Sequence, residues 1–86
     1  MDYKKVASDI IENVGGKENI KSMTHCFTRL RFVLRDNKKA DKDVVSRLEG
    51  VIQVVEASGQ FQVVLGSKVN KIYDQAVALL GGEMVG

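Results

Sequence analysis

The sequence predicts an α+β fold, a two-layer sandwich in which a four-stranded antiparallel sheet is covered on one face by three helices, in the order α-β-β-α-β-β-α. Three observations lead there. Segments near both ends of the chain carry apolar residues at helical spacing. Four short stretches that alternate or are rich in β-branched residues fall into two pairs, and a short helical pattern stands between the pairs. The 86 residues, 44% hydrophobic and 28% charged, suffice for one domain with a single modest core.

In the first helix the apolar residues are Tyr3, Val6, Ala7, Ile10, Ile11 and Val14, with Asp2 placed to cap the start and Gly15-Gly16 to end it. "NIKSMTHC" is weakly patterned. "RLRFVLR" alternates strictly, with Leu30, Phe32 and Leu34 on one face and Arg29, Arg31, Val33 and Arg35 on the other, so the two stretches are expected to form a hairpin connected near Cys26 to Thr28. After the polar "DNKKAD", Asp41 caps a short helix that buries Val44, Val45 and Leu48 before Gly50. "VIQVV" and "FQVVL" form a second hairpin across "EASGQ". Gly66 breaks the pattern and Ser67 is placed to cap a third helix, whose apolar face is Val69, Ile72, Tyr73, Ala76, Val77 and Leu80 and which ends at Gly81-Gly82. The domain is expected to occupy residues 1–82, with 83–86 a tail or the start of a linker.

Composition excludes several classes of function. Thirteen basic and eleven acidic residues leave a net charge of +2, too little for recognition of nucleic acid by bulk electrostatics. No apolar run approaches the roughly 18 to 20 residues of a membrane span, and the first ten residues lack the hydrophobic region of a signal peptide. A single cysteine forms no internal disulfide and is compatible with a reducing cytosol.

That cysteine, Cys26, adjoins the only histidine, His25, in "THCFTRLRFVLRD". A lone cysteine is by default a small buried hydrophobe, but Cys26 stands beside a turn and just before arginines. Cations and convergent backbone N–H groups lower a thiol's pKa from about 8.5 and make a nucleophile of it. Arg29 and Arg31, two apart on a strand, project from one face about 7 Å apart. Their planar forks suit either a thiolate or phosphoryl oxygens. A hairpin turn that presents successive N–H groups would add an anion-binding nest. His25 is a loop residue that tunes the site or does nothing chemical, and no second His or Cys is present to build a zinc site. Arg35 reads as a solvated strand end, and Asp36 as a turn former or arginine partner.

From Asn19 to Asp36, "NIKSMTHCFTRLRFVLRD" resembles the phosphorylation-site signature of the enzyme IIB domains of the glucose/sucrose/β-glucoside superfamily of the bacterial phosphoenolpyruvate-dependent sugar phosphotransferase system. The match comprises Asn19, Ile20, Cys26, Thr28-Arg29-Leu30, Phe32, Leu34 and Asp36, and it continues through "GVIQVVEASGQFQVVLG". "HC" followed by "TRLRFVL" looks most like the sucrose, trehalose, β-glucoside and N-acetylmuramic acid branch. The resemblance implies an antiparallel sheet covered by three helices on one side. It implies that Cys26 is a phosphocysteine, accepting a phosphoryl group from a phosphohistidine on a IIA domain and passing it to sugar bound by a membrane IIC domain. It also implies that Arg29 and Arg31 assist onward transfer, and that Thr28 and the Phe27 backbone lie in the loop cradling the phosphate. No cofactor is implied, since the phosphoryl group comes ultimately from phosphoenolpyruvate.

On this reading the chain is a monomeric N-terminal domain of a larger permease, on the cytoplasmic side of the membrane, followed by IIC. The bulky Phe27 is expected either to contribute to docking or to pack. Two other readings stay open. "RLRFVLRDNKK" carries five cations and could serve a small nucleic-acid-binding module, although aromatics for base stacking are sparse; a redox-sensing thiol would need neither Thr28 nor the arginines.

Overall fold

The computed structural model describes residues 1–81; the expected domain end at residue 82 and the tail 83–86 lie outside them. The expected order of elements is observed: α1 (Tyr3–Asn13), β1 (Ile20–His25), β2 (Arg29–Leu34), α2 (Lys42–Ser46), β3 (Gln53–Ala57), β4 (Gln60–Val64) and α3 (Val69–Leu80). The four strands form one antiparallel sheet in the order β1-β2-β4-β3, so the two hairpins join through β2 and β4 at its centre.

Leu30, Phe32 and Leu34 of β2 and Phe61 and Val63 of β4 point to one side, where they meet Val6, Ala7, Ile10 and Val14 from α1, Val45 from α2, and Val69, Ile72, Ala76 and Leu80 from α3. Burying these side chains is the main driving force, each large one contributing about 1.5–3 kcal/mol relative to exposure. Among the described residues no helix lies on the other side of the sheet. That side presents Thr24, Arg29, Arg31, Gln60 and Gln62, the positions that alternate with the core residues.

β1 departs from strict alternation for a definite reason. Its register slips between Ile20, opposite Leu34, and Ser22, opposite Val33, so Lys21 is an extra residue on this strand. Both Ile20 and Met23, three apart, can then face the core, and both are fully buried.

The helix start at Asp2 is as expected, its side chain accepting from the Lys5 N–H at 3.1 Å. Asp41 likewise accepts from the Val44 N–H, at 3.1 Å. Three sequence expectations are corrected. Ser67 does not cap α3: a 3₁₀ turn, Gly66–Lys68, leads into the helix and is closed by its own backbone, with the Val69 N–H on the Gly66 carbonyl. The connection between β3 and β4 is Ser58-Gly59 alone, not all of "EASGQ", because both residues have positive φ (55° and 73°), the primed-turn conformation that matches strand twist in a two-residue hairpin. Finally, α2 ends at Ser46, before Leu48 and Gly50, and β3 begins at Gln53, leaving Val51 and Ile52 outside it.

Candidate functional site

The β1–β2 hairpin ends in the three-residue connection Cys26-Phe27-Thr28. His25 pairs with Leu30, and the Cys26 N–H donates to the Arg29 carbonyl at 2.9 Å, which closes the loop. A second tie comes from the far end of the adjoining strand: the Thr28 carbonyl accepts from the N–H groups of both Leu65 (2.8 Å) and Gly66 (3.0 Å). With its carbonyl fixed there, the Thr28 peptide is held from one side while the N–H groups of Thr28 and Arg29 serve the sulfur. Gly66 makes this possible by adopting φ +67°, a conformation that L side chains rarely take.

The half-buried Cys26 thiol is lowered from an ordinary 9.0 to about 7. The largest cause is a hydrogen bond from the Thr28 backbone N–H. Desolvation opposes it, and the Arg31 guanidinium, by hydrogen bond and by charge, and the Arg29 N–H act in the lowering direction. Of the two arginines expected to stabilise the thiolate, Arg31 does so through its side chain, whereas Arg29 acts through its backbone. The Arg29 guanidinium is drawn toward β4, where Nη1 donates to Gln62 Oε1 at 2.9 Å. Arg31 Nη1 reaches Gln60 Oε1 at 3.4 Å, while its Nε is buried with no hydrogen-bond partner among the described residues. An unpartnered buried donor beside an ionisable thiol is a place for an acceptor.

His25 lies on the opposite side of the sheet from the arginines. Its ring packs against Tyr73 of α3, with centroids 4.3 Å apart and planes at 51°, and Nδ1 lies 3.0 Å from the Cys26 carbonyl, to which it donates as the Nδ1–H tautomer. The histidine therefore braces the loop backbone. Phe27 is 96% exposed, which rules out the packing role that the sequence left open. Beside it an open hollow of about 330 Å³ is lined by His25, Cys26, Phe27 and Asn70.

Phe32 is fully buried, so the sheet offers no aromatic platform for stacking bases at that position. Asp36 forms a turn, accepting from the Lys38 N–H at 2.9 Å, and Arg35 rests on the Glu18 carbonyl at 3.1 Å. Among the described residues no group of three or more His, Cys, Asp or Glu side chains could hold a metal ion.

The comparisons with known proteins agree with this geometry. The family described as phosphotransferase system, EIIB, matches residues 8–41. A crystal structure of one domain of the PTS system IIabc component from Clostridium difficile superposes with a TM-score of 0.85 and is 37% identical, covering 90% of this chain and 81% of that one. The chain belongs to the EIIB family of the phosphotransferase system. As an EIIB domain it is also 47% identical over 81 residues to a β-glucoside-specific EIIBCA component from Halalkalibacterium halodurans, and 49% identical over 75 residues to a sucrose-specific EIIBC component from Bacillus subtilis. These alignments cover 94% and 86% of this chain but span only 13% and 16% of those much longer relatives.

The sequence reading missed Gln60 and Gln62, which bond the two arginines, and Leu65 and Gly66, which tie down the Thr28 carbonyl. The signal that would have found them is the strand order, since the pairing of β2 with β4 brings Gln60 and Gln62 to the arginines and Leu65 and Gly66 to the loop.

Proposed function

We propose that this chain is the phosphoryl relay of a sugar phosphotransferase system, with Cys26 as the residue that carries the phosphoryl group. The thiolate attacks the phosphorus of a phosphohistidine on a IIA domain. An S–P bond forms as the N–P bond breaks, and the imidazole leaves. In the second step a hydroxyl of sugar bound by a membrane IIC domain attacks the same phosphorus, an O–P bond forms as the S–P bond breaks, the thiolate departs and the hydroxyl proton passes to solvent. The observation that carries this reading is the placement of Cys26: half-buried at the start of an exposed loop that two partners can visit in turn, with its thiol lowered to about 7 by the Thr28 N–H and the Arg31 guanidinium. Phosphoryl transfer depends more on in-line placement and charge stabilisation than on covalent assistance, and the backbone N–H donors with the Arg31 fork supply charge stabilisation.

In this reading Thr28 and the Phe27 backbone cradle the phosphate, Arg29 and Arg31 stabilise its oxygens during onward transfer, and the exposed Phe27 side chain contributes apolar surface for docking. The IIC domain chooses the sugar. No helix among the described residues is long and apolar enough to cross a membrane, and the proposed working place is the cytoplasmic face of a membrane permease.

The test is the intact mass of the protein after incubation with phosphoenolpyruvate, the two general phosphotransferase proteins and a IIA domain of a β-glucoside permease, beside a Cys26→Ser control. Gain of one phosphate in the wild type alone is the expected result. Phosphate on both proteins would move the acceptor elsewhere, with His25 the first suspect, and phosphate on neither, with a donor verified as active, would refute the relay.

A further inference from the structure

Four side chains on the open face of the sheet are joined across two strands. Arg31 stands opposite Gln62 in the β2–β4 ladder, and Gln60 lies two residues back along β4 on the same face. Arg29 Nη1 donates to Gln62 Oε1 at 2.9 Å, and Gln62 Nε2 donates in turn to Gln60 Oε1, also at 2.9 Å. Arg31 Nη1 approaches that same Gln60 oxygen at 3.4 Å. Both arginine connections therefore converge on one amide oxygen. Gln62 is 5% exposed and Gln60 is half-buried, so the chain of contacts is sheltered rather than solvated.

The chemistry of the anchors matters as much as their position. Among the described residues the salt bridges are Lys5–Asp9 and Lys42–Glu56, and neither arginine has a carboxylate partner. A carboxylate would hold a guanidinium by a charge-assisted bond but would also neutralise it. A neutral amide fixes the orientation of the fork and leaves the positive charge available to an anion. With Nη1 directed to Gln60, Arg31 keeps its buried, unpartnered Nε as a donor.

The geometry points to Gln60 as a positioning residue for phosphoryl transfer: its amide oxygen gathers Arg31 directly, and Arg29 through Gln62, into one clamp whose remaining donors serve the phosphoryl group on Cys26. This inference rests on the relay function proposed above. Gln60 itself touches neither the sulfur nor the transferred group and acts through the arginines. Its effect belongs to the step in which those arginines must be aligned.

Gln60→Met keeps the length of the side chain and removes the acceptor. The variant is first phosphorylated by the IIA donor, then mixed with membrane vesicles carrying the IIC domain of a β-glucoside permease and arbutin as acceptor. The expected result is full phosphorylation, onward transfer slowed on the order of tenfold at saturating arbutin, and an unchanged KM for arbutin, because misorientation lowers the rate of transfer without touching sugar binding. The Arg31 Nε–H signal in a ¹⁵N spectrum should exchange with solvent faster than in the wild type. In Gln60→Glu that signal should stay protected, while the midpoint of Cys26 alkylation moves to higher pH, since a carboxylate holds the fork but cancels its charge. Wild-type onward transfer in Gln60→Met, or a slowing matched by an equal loss in thermal stability, overturns the role of Gln60. A wild type that accepts no phosphate overturns the relay itself, and the two failures are therefore distinguishable.

Discussion

Cys26 shows how a single side chain takes its acidity chiefly from its neighbours' backbone. An ordinary thiol is a few per cent ionised at pH 7, whereas one titrating at about 7 is roughly half thiolate there. We expect the rate of iodoacetamide alkylation to rise with pH through a midpoint near 7. Arg31→Met should shift that midpoint upward only part of the way to 9.0, because the Thr28 N–H, the larger cause, remains. A wild-type midpoint in the ordinary thiol range, or no shift in the variant, would contradict this account. Because the folded-state value is depressed, the stability linked to the thiolate is fully present above the unfolded value near 9.0 and is lost as pH falls through about 7. At this scale the sequence was legible in what sits within a few positions of Cys26. Arg29 and Arg31 could be read because local spacing brings them there, and Thr28 through the resemblance of the surrounding signature. Gln62, which holds Arg29 from 33 residues away, could not, because strand order is a property of tertiary packing.

The elements show where a sequence pattern carries packing information and where a structural irregularity hides it. β2 alternates without fault and was legible, whereas the bulge at Lys21 puts Ile20 and Met23 on one face and makes β1 look unpatterned. Asn19, immediately before β1, belongs to the signature that suggested phosphoryl chemistry, yet its surroundings are structural. It is 3% exposed. Its Nδ2 donates to the Val14 carbonyl at 2.7 Å and the Asp36 carbonyl at 2.9 Å, and its Oδ1 accepts from the Asp36 N–H at 2.9 Å, so one side chain ties the end of α1 to the end of β2. Gly15 leaves room for it: a Cβ there would stand 2.6 Å from Asn19 Nδ2. Asn19→Ala strands three backbone groups and should cost about 2–4 kcal/mol in urea unfolding. A loss below about 0.5 kcal/mol would show that water replaces the side chain without penalty.

In the whole molecule the one-sided sheet separates stability from chemistry. All three helices pack on one face, giving a body 20 Å across its shortest axis, about the thickness of two layers, and the arginines occupy the other face. The Cys26–Thr28 loop stands where edge strand β1 turns into central strand β2, tied to the body through Thr28 and the backbone of Leu65 and Gly66. Two phenylalanines five residues apart therefore have opposite consequences. Phe32 is fully buried beneath the helices, and Phe32→Ala should cost about 3–5 kcal/mol by leaving a cavity. Phe27 is 96% exposed beside the thiol, and Phe27→Ser should leave unfolding free energy within about 0.5 kcal/mol of the wild type. If Phe27 serves docking, the same variant should raise the concentration of phosphorylated IIA domain needed for half-maximal phosphorylation of Cys26, with the rate at saturation preserved, since removing apolar contact area weakens encounter rather than transfer. Chemical unfolding together with a titration of the donor separates the two effects. A donor requirement equal to that of the wild type would remove Phe27 from the docking surface and leave the hollow bordered by His25, Cys26 and Asn70 as the part of the loop that partners meet.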